Sequence, residues 1–220
     1  MVKTQNLEER LVRLPVGPVN LEGNLSIPVN AKGIVLFAHG SGSSRHSPRN
    51  RYVASVLQDA GLATLLMDLL TTEEEIVDMR TRHLRFDIGM LGDRVVGATD
   101  WLTHNRDTRH LKIGYFGAST GGGAALVAAS KRPTLVGAVV SRGGRPDLAG
   151  PALPLVQAPT LLLVGGRDLT VIDMNQEAMA QMQAKTKLQI ITGATHLFEE
   201  PGKLEKVAHH ASEWFRQHFV

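Results

Sequence analysis

No cysteine occurs among the 220 residues. Its absence excludes a disulfide framework and a thiolate metal site, and it leaves no thiol to act as a nucleophile. Long apolar runs are missing too. None approaches the roughly 20 residues of a membrane span, and the opening MVKTQNLEERL is charged, without the apolar core of a signal peptide. Nor is there an excess of one charge: 24 basic and 21 acidic residues leave a formal +3 with no basic tail. Nothing therefore marks a nucleic-acid or membrane surface. No repeat, low-complexity tract or linker interrupts the chain. These absences lead to the expectation of a cytoplasmic, soluble protein with no nucleic-acid or membrane partner, though a chain without cysteine is also compatible with export.

What is present is a large apolar fraction, 43% of residues. That suffices for one sizeable core, and single α/β domains of about 200–250 residues are common, so residues 1–220 are expected to form one domain. Short runs of β-branched and aliphatic residues lie at 33–38, 63–67, 111–116, 135–140, 160–164 and 188–191. Most are apolar throughout, as strands covered on both faces are. Helical patterns at 50–59, 92–105, 122–131, 174–183 and 203–218 alternate with them. The alternation predicts a mainly parallel sheet with helices on both sides. Residues 9–14 and 19–27, split by Pro15, Gly17 and Pro18, read instead as an antiparallel hairpin at the sheet edge.

The stretch FGASTGGGAAL, from Phe116 to Leu126, follows the apolar run LKIGY. A dinucleotide fingerprint fails here: with Gly121 and Gly123 as its first pair, Leu126 takes the third glycine's place, and the next strand ends in Ser141 and Arg142 rather than a carboxylate. A P-loop fails because no G-K-[ST] closes the run. The letters do fit G-x-S-x-G, as Gly117-Ala118-Ser119-Thr120-Gly121. A serine in a strained strand-to-helix turn needs nearly side-chain-free residues two places either side of it, and Gly117 and Gly121 meet that need. Taken alone, the pentapeptide fits a glycine-rich turn with an incidental serine equally well.

A serine hydroxyl at neutral pH needs a base, and the base an orienting carboxylate. Both follow in the order Ser, Asp, His. Asp168 ends VGGRD just past the strand PTLLLVGG, and His196 lies in ITGATHLF just past the last strand. Three such residues at three strand ends on one sheet edge favour the catalytic reading of Ser119, Asp168 and His196. Asp173 and Asp87 read as helix caps and Asp147 as part of a turn, while His83, His104, His110, His209, His210 and His218 read as solvated. Acyl transfer also needs oxyanion donors. The candidates are the backbone N–H groups of Thr120 and of Ser41, in the loop HGSGSSRHSPRN; His39 braces that loop. Nearby Arg45, His46, Arg49 and Arg51 offer recognition of an anionic substrate, or are solvated; His39, Arg45, His46 and Arg49 are the substrate-binding candidates. Thr72 and Glu75 have capping-box spacing for a short helix over 73–80, within a second source of pocket walls at 69–90.

The pieces FAHGSGS, GYFGASTGGGAA, LLLVGGRD and GATHLFEEPG together resemble a serine-type α/β-hydrolase of the dienelactone hydrolase-like and small carboxylesterase branch. The resemblance implies an α/β-hydrolase fold of about eight strands, with Ser119 as nucleophile, Asp168 as acid, His196 as base, and no cofactor or metal. It also implies a small-molecule ester substrate and a monomer or homodimer. Dienelactone hydrolases proper use a cysteine nucleophile, which this chain lacks, so the resemblance favours a general esterase over true dienelactone hydrolysis. Only residues 142–158 separate two strands where many relatives insert a helical lid; no substantial lid and an open, shallow pocket are expected. The same three residues serve thioesterases and acyltransferases, and a noncatalytic binding module would keep the fold without the chemistry.

Overall fold

The computed structural model describes residues 8–219. The chain opens with β1 (Glu9–Val16) and β2 (Val19–Ser26), an antiparallel hairpin joined through Gly17 and Pro18, with Gly17 at φ 55°. Positive φ at the first turn residue lets the turn follow the right-handed twist of the strands. β2 pairs antiparallel with β4 (Ala63–Met67), and every further pairing is parallel. The remaining strands are β3 (Gly33–Ala38), β5 (Lys112–Ala118), β6 (Val136–Arg142), β7 (Thr160–Gly165) and β8 (Thr186–Ile191), giving the order β1-β2-β4-β3-β5-β6-β7-β8.

Neighbouring residues of the central strands feed opposite cores. Leu36, Tyr115 and Val139 join Leu91 and Val95 of α3 (Ile88–His104) and Leu126 of α4 (Thr120–Lys131). Their neighbours Phe37, Phe116 and Val140 join Val53 and Leu57 of α1 (Pro48–Asp59) and Val207 and Phe215 of α6 (Lys203–His218). With both faces covered, β3, β4 and β7 are buried at every position, which is why they read as continuous apolar runs. The expected eight-stranded sheet, edge hairpin and two-sided helices are all present.

Several local readings need correction. The capping box of α2 (Thr72–Thr81) lies one residue earlier than its spacing suggested: Glu74 N donates to Thr71 Oγ1 at 3.2 Å and Thr71 N to Glu74 Oε2 at 2.8 Å. The run TTEEE offers two pairs with the same spacing, and Thr71, not Thr72, has the extended backbone a cap requires. α5 (Leu169–Gln181) begins five residues before its expected start, so Asp173 sits exposed within the helix and Asp168 takes the cap position. Asp87 does cap α3, accepting from Met90 N at 2.9 Å. His218 is half-buried rather than solvated, stacked on Trp214 with ring centroids 4.3 Å apart. Residues 142–158 form no lid. They contain a short 3-10 segment, Pro146–Leu155, whose Pro146, Ala149 and Leu153 are buried; Arg145 and Asp147 pair at its start through bonds of 2.8 and 2.7 Å. Among the described residues no helix is long and apolar enough to cross a membrane.

Candidate active site

Ser119 stands between β5 and α4 with φ 50° and ψ −122°, a backbone conformation that costs a non-glycine residue on the order of 1–3 kcal/mol. Its surroundings hold it there. Ser119 N donates to Arg142 O at 3.2 Å, while Ser119 O accepts from Gly122 N at 2.9 Å and Arg145 N at 3.0 Å. Ser119 Oγ forms no hydrogen bond among the described residues. The helix that follows is small-sided, with Gly121 to Ala125 all buried. A Cβ at Gly121 would lie against Ala38 O and 2.5 Å from His39 O. Only glycine lets the first turn of α4 rest on the end of β3, and that contact brings the loop after β3 beside Ser119.

Asp168 and His196 meet through their backbones before they meet through their side chains. Gly166 N donates to Ile191 O and Arg167 N to Ala194 O, both at 2.9 Å, tying the turn after β7 to the loop after β8. Phe198, 1% exposed, anchors that loop in the core. His196 Nδ1 then lies 2.6 Å from Asp168 Oδ2. An Nδ1–H donating to the carboxylate leaves Nε2 as the ring's acceptor. The Asp168 side chain is 18% exposed and that of His196 38%, so the carboxylate is sheltered while the imidazole is the more accessible of the two. Gly143, one residue after the carbonyl that holds Ser119 N, lies against this loop: a Cβ there would be 3.1 Å from His196 O and 3.5 Å from His196 Cε1. The turns bearing all three residues are thus contiguous on one sheet edge.

The oxyanion-loop residues take distinct places. Leu69 N donates to His39 Nε2 at 3.1 Å, so the ring carries its proton on Nδ1 and donates it to Gly40 O at 2.9 Å. Burial holds the His39 imidazole below its ordinary value of 6.5; with both ring nitrogens engaged, it braces the loop. Ser41 N donates to Thr120 Oγ1 at 2.9 Å, linking both candidate donor residues in one contact. Arg45 turns away from the opening. Its guanidinium pairs with Asp68 and reaches Glu22 Oε2 at 2.6 Å and Asn24 Oδ1 at 3.0 Å, so its charge is already satisfied. As a substrate-binding candidate Arg45 is therefore withdrawn. His46 is exposed and lines the cavity described next. Arg49 approaches Glu199 at 3.3 Å.

Beside Thr120 and the oxyanion loop lies a cavity of about 480 Å³. Leu69, Leu70, Met79 and Leu91 give it an apolar lining, with Ser43 and Glu75 among its polar groups. Burial, followed by the charge of Asp68, pushes the Glu75 carboxyl above its ordinary value. Asp78, a buried residue, holds Arg85 through Oδ2 at 2.5 Å and pins Leu84 N at 2.8 Å. Segment 69–90 therefore does wall the opening. The role of Asp78 escaped the reading of residues 73–80 as a short helix, because its partner Arg85 lies beyond that helix.

An eight-stranded sheet of this order, a strained serine turn after β5 and an Asp–His pair after β7 and β8 define the class: an α/β hydrolase. The chain belongs to the dienelactone hydrolase family, whose model matches residues 21–219. A crystal structure of dienelactone hydrolase from Anabaena variabilis is 70% identical and superimposes with a TM-score of 0.96, covering 97% of this chain and 99% of that one. An esterase structure from Pyrococcus furiosus shares the fold at 17% identity, with a TM-score of 0.78 over 97% of this chain and 92% of that one. Among curated proteins, a Mycobacterium tuberculosis protein provisionally named a phosphoribosyl transferase is 58% identical over 212 residues, 96% of this chain but 47% of its own length. The chain thus spans about half the length of the curated relatives it matches.

Proposed function

We propose that the protein is a serine hydrolase that cleaves carboxylic esters of small or short-acyl substrates through an acyl-enzyme. The observation that carries this reading is the 2.6 Å His196–Asp168 contact beside a serine held at positive φ. Ser119 Oγ attacks the ester carbonyl and its proton passes to His196 Nε2; Asp168 holds the imidazole and stabilises its charged form. Collapse of the tetrahedral intermediate breaks the acyl C–O bond, and the alcohol leaves with the proton from His196. Water then attacks the acyl group, giving its proton to the same nitrogen, and Ser119 departs with a proton restored. The Thr120 and Ser41 N–H groups are the oxyanion donors. In the free protein Ser41 N–H is satisfied by Thr120 Oγ1, so it exchanges a neutral acceptor for a charged one as the oxyanion forms, a stronger bond made at the transition state.

The cavity, within the range of small-molecule sites, supports a compact substrate. Its strongest test is a panel of esters, lactones and thioesters of graded acyl length, with Ser119→Ala as blank. Turnover of p-nitrophenyl acetate that survives Ser119→Ala, or an organophosphonate that fails to label Ser119, would sink the proposal; no turnover and no labelling of the unaltered protein would leave a binding module on this fold. Lactones are a second substrate class, favoured by the name of the 70% identical structure, and the chemistry is unchanged because a lactone is an internal ester. The phosphoribosyl transferase name is not carried over: more than half of the protein bearing it lies outside the match. We also expect the protein to work in the cytoplasm, as a monomer or homodimer, without cofactor.

A further inference from the structure

At the far end of β6, on the α1 and α6 face of the sheet, one arginine is buried without a counter-charge among the described residues. Arg142 is 7% exposed. Its Nε and Nη1 have no partner, and its Nη2 reaches only Asn50 Oδ1, at 3.5 Å. Arg49, one residue before Asn50 in the first turn of α1, also has a buried Nε without a partner. The carboxylate that approaches the pair is Glu199, which meets the outer Nη1 of Arg49 at 3.3 Å; its side chain is 63% exposed. Among the described residues no carboxylate pairs with Arg142. The contrast within the protein is sharp: Arg45, Arg85, Arg94, Arg132 and Arg145 each hold a carboxylate.

A buried charge with unmet donors is costly unless something of opposite sign meets it. Guanidinium edges match the two oxygens of a carboxylate or phosphate. From these placements we infer that Arg49 and Arg142 form a receptor for a compact oxyanion, a carboxylate or phosphate group, between the start of α1 and the loop that carries His196. Burial, and secondarily the charge of Arg49, push the Arg142 guanidinium down to about 10, as expected of two cations gathered without an anion. The site adjoins the proposed chemistry, because Arg142 O holds Ser119 N and Glu199 follows His196 by three residues. It does not depend on that chemistry, since neither guanidinium takes part in the acyl-transfer steps.

Calorimetric titration of the whole protein with inorganic phosphate and with acetate, against sodium chloride at matched ionic strength, tests the inference. Binding at about 10 mM or tighter is expected for one or both oxyanions, weakened about tenfold or more in Arg142→Met and in Arg49→Met. Arg49 is only partly buried, so Arg49→Met remains informative if Arg142→Met does not fold. Ser119→Ala should bind as the unaltered protein does, which separates failure of this site from failure of the hydrolase reading. Kinetics on monoethyl succinate and ethyl butyrate identify the source of the anion. A lower KM for the charged ester that disappears in Arg49→Met places the anion on the substrate, whereas oxyanion binding without such a preference assigns the site to a free ion. No oxyanion binding, or binding undiminished in both arginine variants, overturns the inference.

Discussion

Gly117→Ala should be a costly single methyl addition in the turn that carries Ser119. A Cβ at Gly117 would lie 2.5 Å from Gly121 O and 2.6 Å from Gly122 Cα, about 0.9 Å inside the 3.4 Å at which ordinary contact begins. Those atoms are backbone in the first turn of α4, so no side-chain rotation relieves the overlap. Either β5 and α4 separate by most of that distance or bond angles deform, and either route is expected to cost about 3 kcal/mol. The same displacement moves Ser119 and the Thr120 N–H away from His196, and a shift approaching 1 Å costs roughly 10²-fold in turnover. Gly61→Ala is the control: Gly61 has φ +81° with nothing within 4 Å, so only the left-handed backbone penalty of about 1 kcal/mol applies. Urea midpoints at constant m measure the stability difference, and p-nitrophenyl acetate hydrolysis measures the other. If Gly117→Ala is no less stable than Gly61→Ala and turns over normally, the steric account of this turn is wrong.

Asp168→Asn should leave the fold intact and lower kcat by about 10⁴-fold, because an amide can favour the wrong imidazole tautomer; circular dichroism and ester kinetics together check both halves. Arg45→Met should destabilise by about 3 kcal/mol, read from urea midpoints, since it strands the largely buried carboxylate of Asp68; unlike Arg49→Met, it should not alter the ratio of charged to neutral ester turnover. For His39 the folded value lies below 6.5, so below about pH 6.5 the unfolded chain binds more protons than the folded one. The stabilisation is complete above that pH and declines as pH falls toward the folded value, by up to about 1.4 kcal/mol per pH unit for one proton. A His39→Gln variant should show a shallower loss of urea midpoint between about pH 6.5 and 5.5.

Much of the architecture was legible because burial on both faces writes itself as continuous apolar runs. β3 and β4 occupy the residues expected of them, and the G-x-S-x-G turn falls where β5 meets α4. Asp168 and His196 were legible through position, each just past a strand. Helix starts were less so: α5 begins at Leu169 and the α2 cap is Thr71, because competing Thr and Asp residues offer equivalent local caps and backbone conformation chooses among them.

Beyond the Asp168–His196 pair, side-chain pairing was not legible. In HGSGSSRHSPRN, Arg45 and Arg49 stand four residues apart and look alike. Tertiary structure gives Arg45 the carboxylates of Asp68 and Glu22, brought from β2 and from the end of β4, and leaves Arg49 Nε buried without a partner. Arg142 read only as the place where a nucleotide-binding carboxylate was missing, and the fold makes it a buried cation with no counter-charge among the described residues. By itself the sequence determined the layers, the strained turn and the order of Ser, Asp and His, since those depend on hydrophobic period, glycine and strand ends. Only the tertiary structure decided how the arginines are paired, because a charge is satisfied by neighbours in space, as Arg10 is by Asp107, about a hundred residues away in the chain.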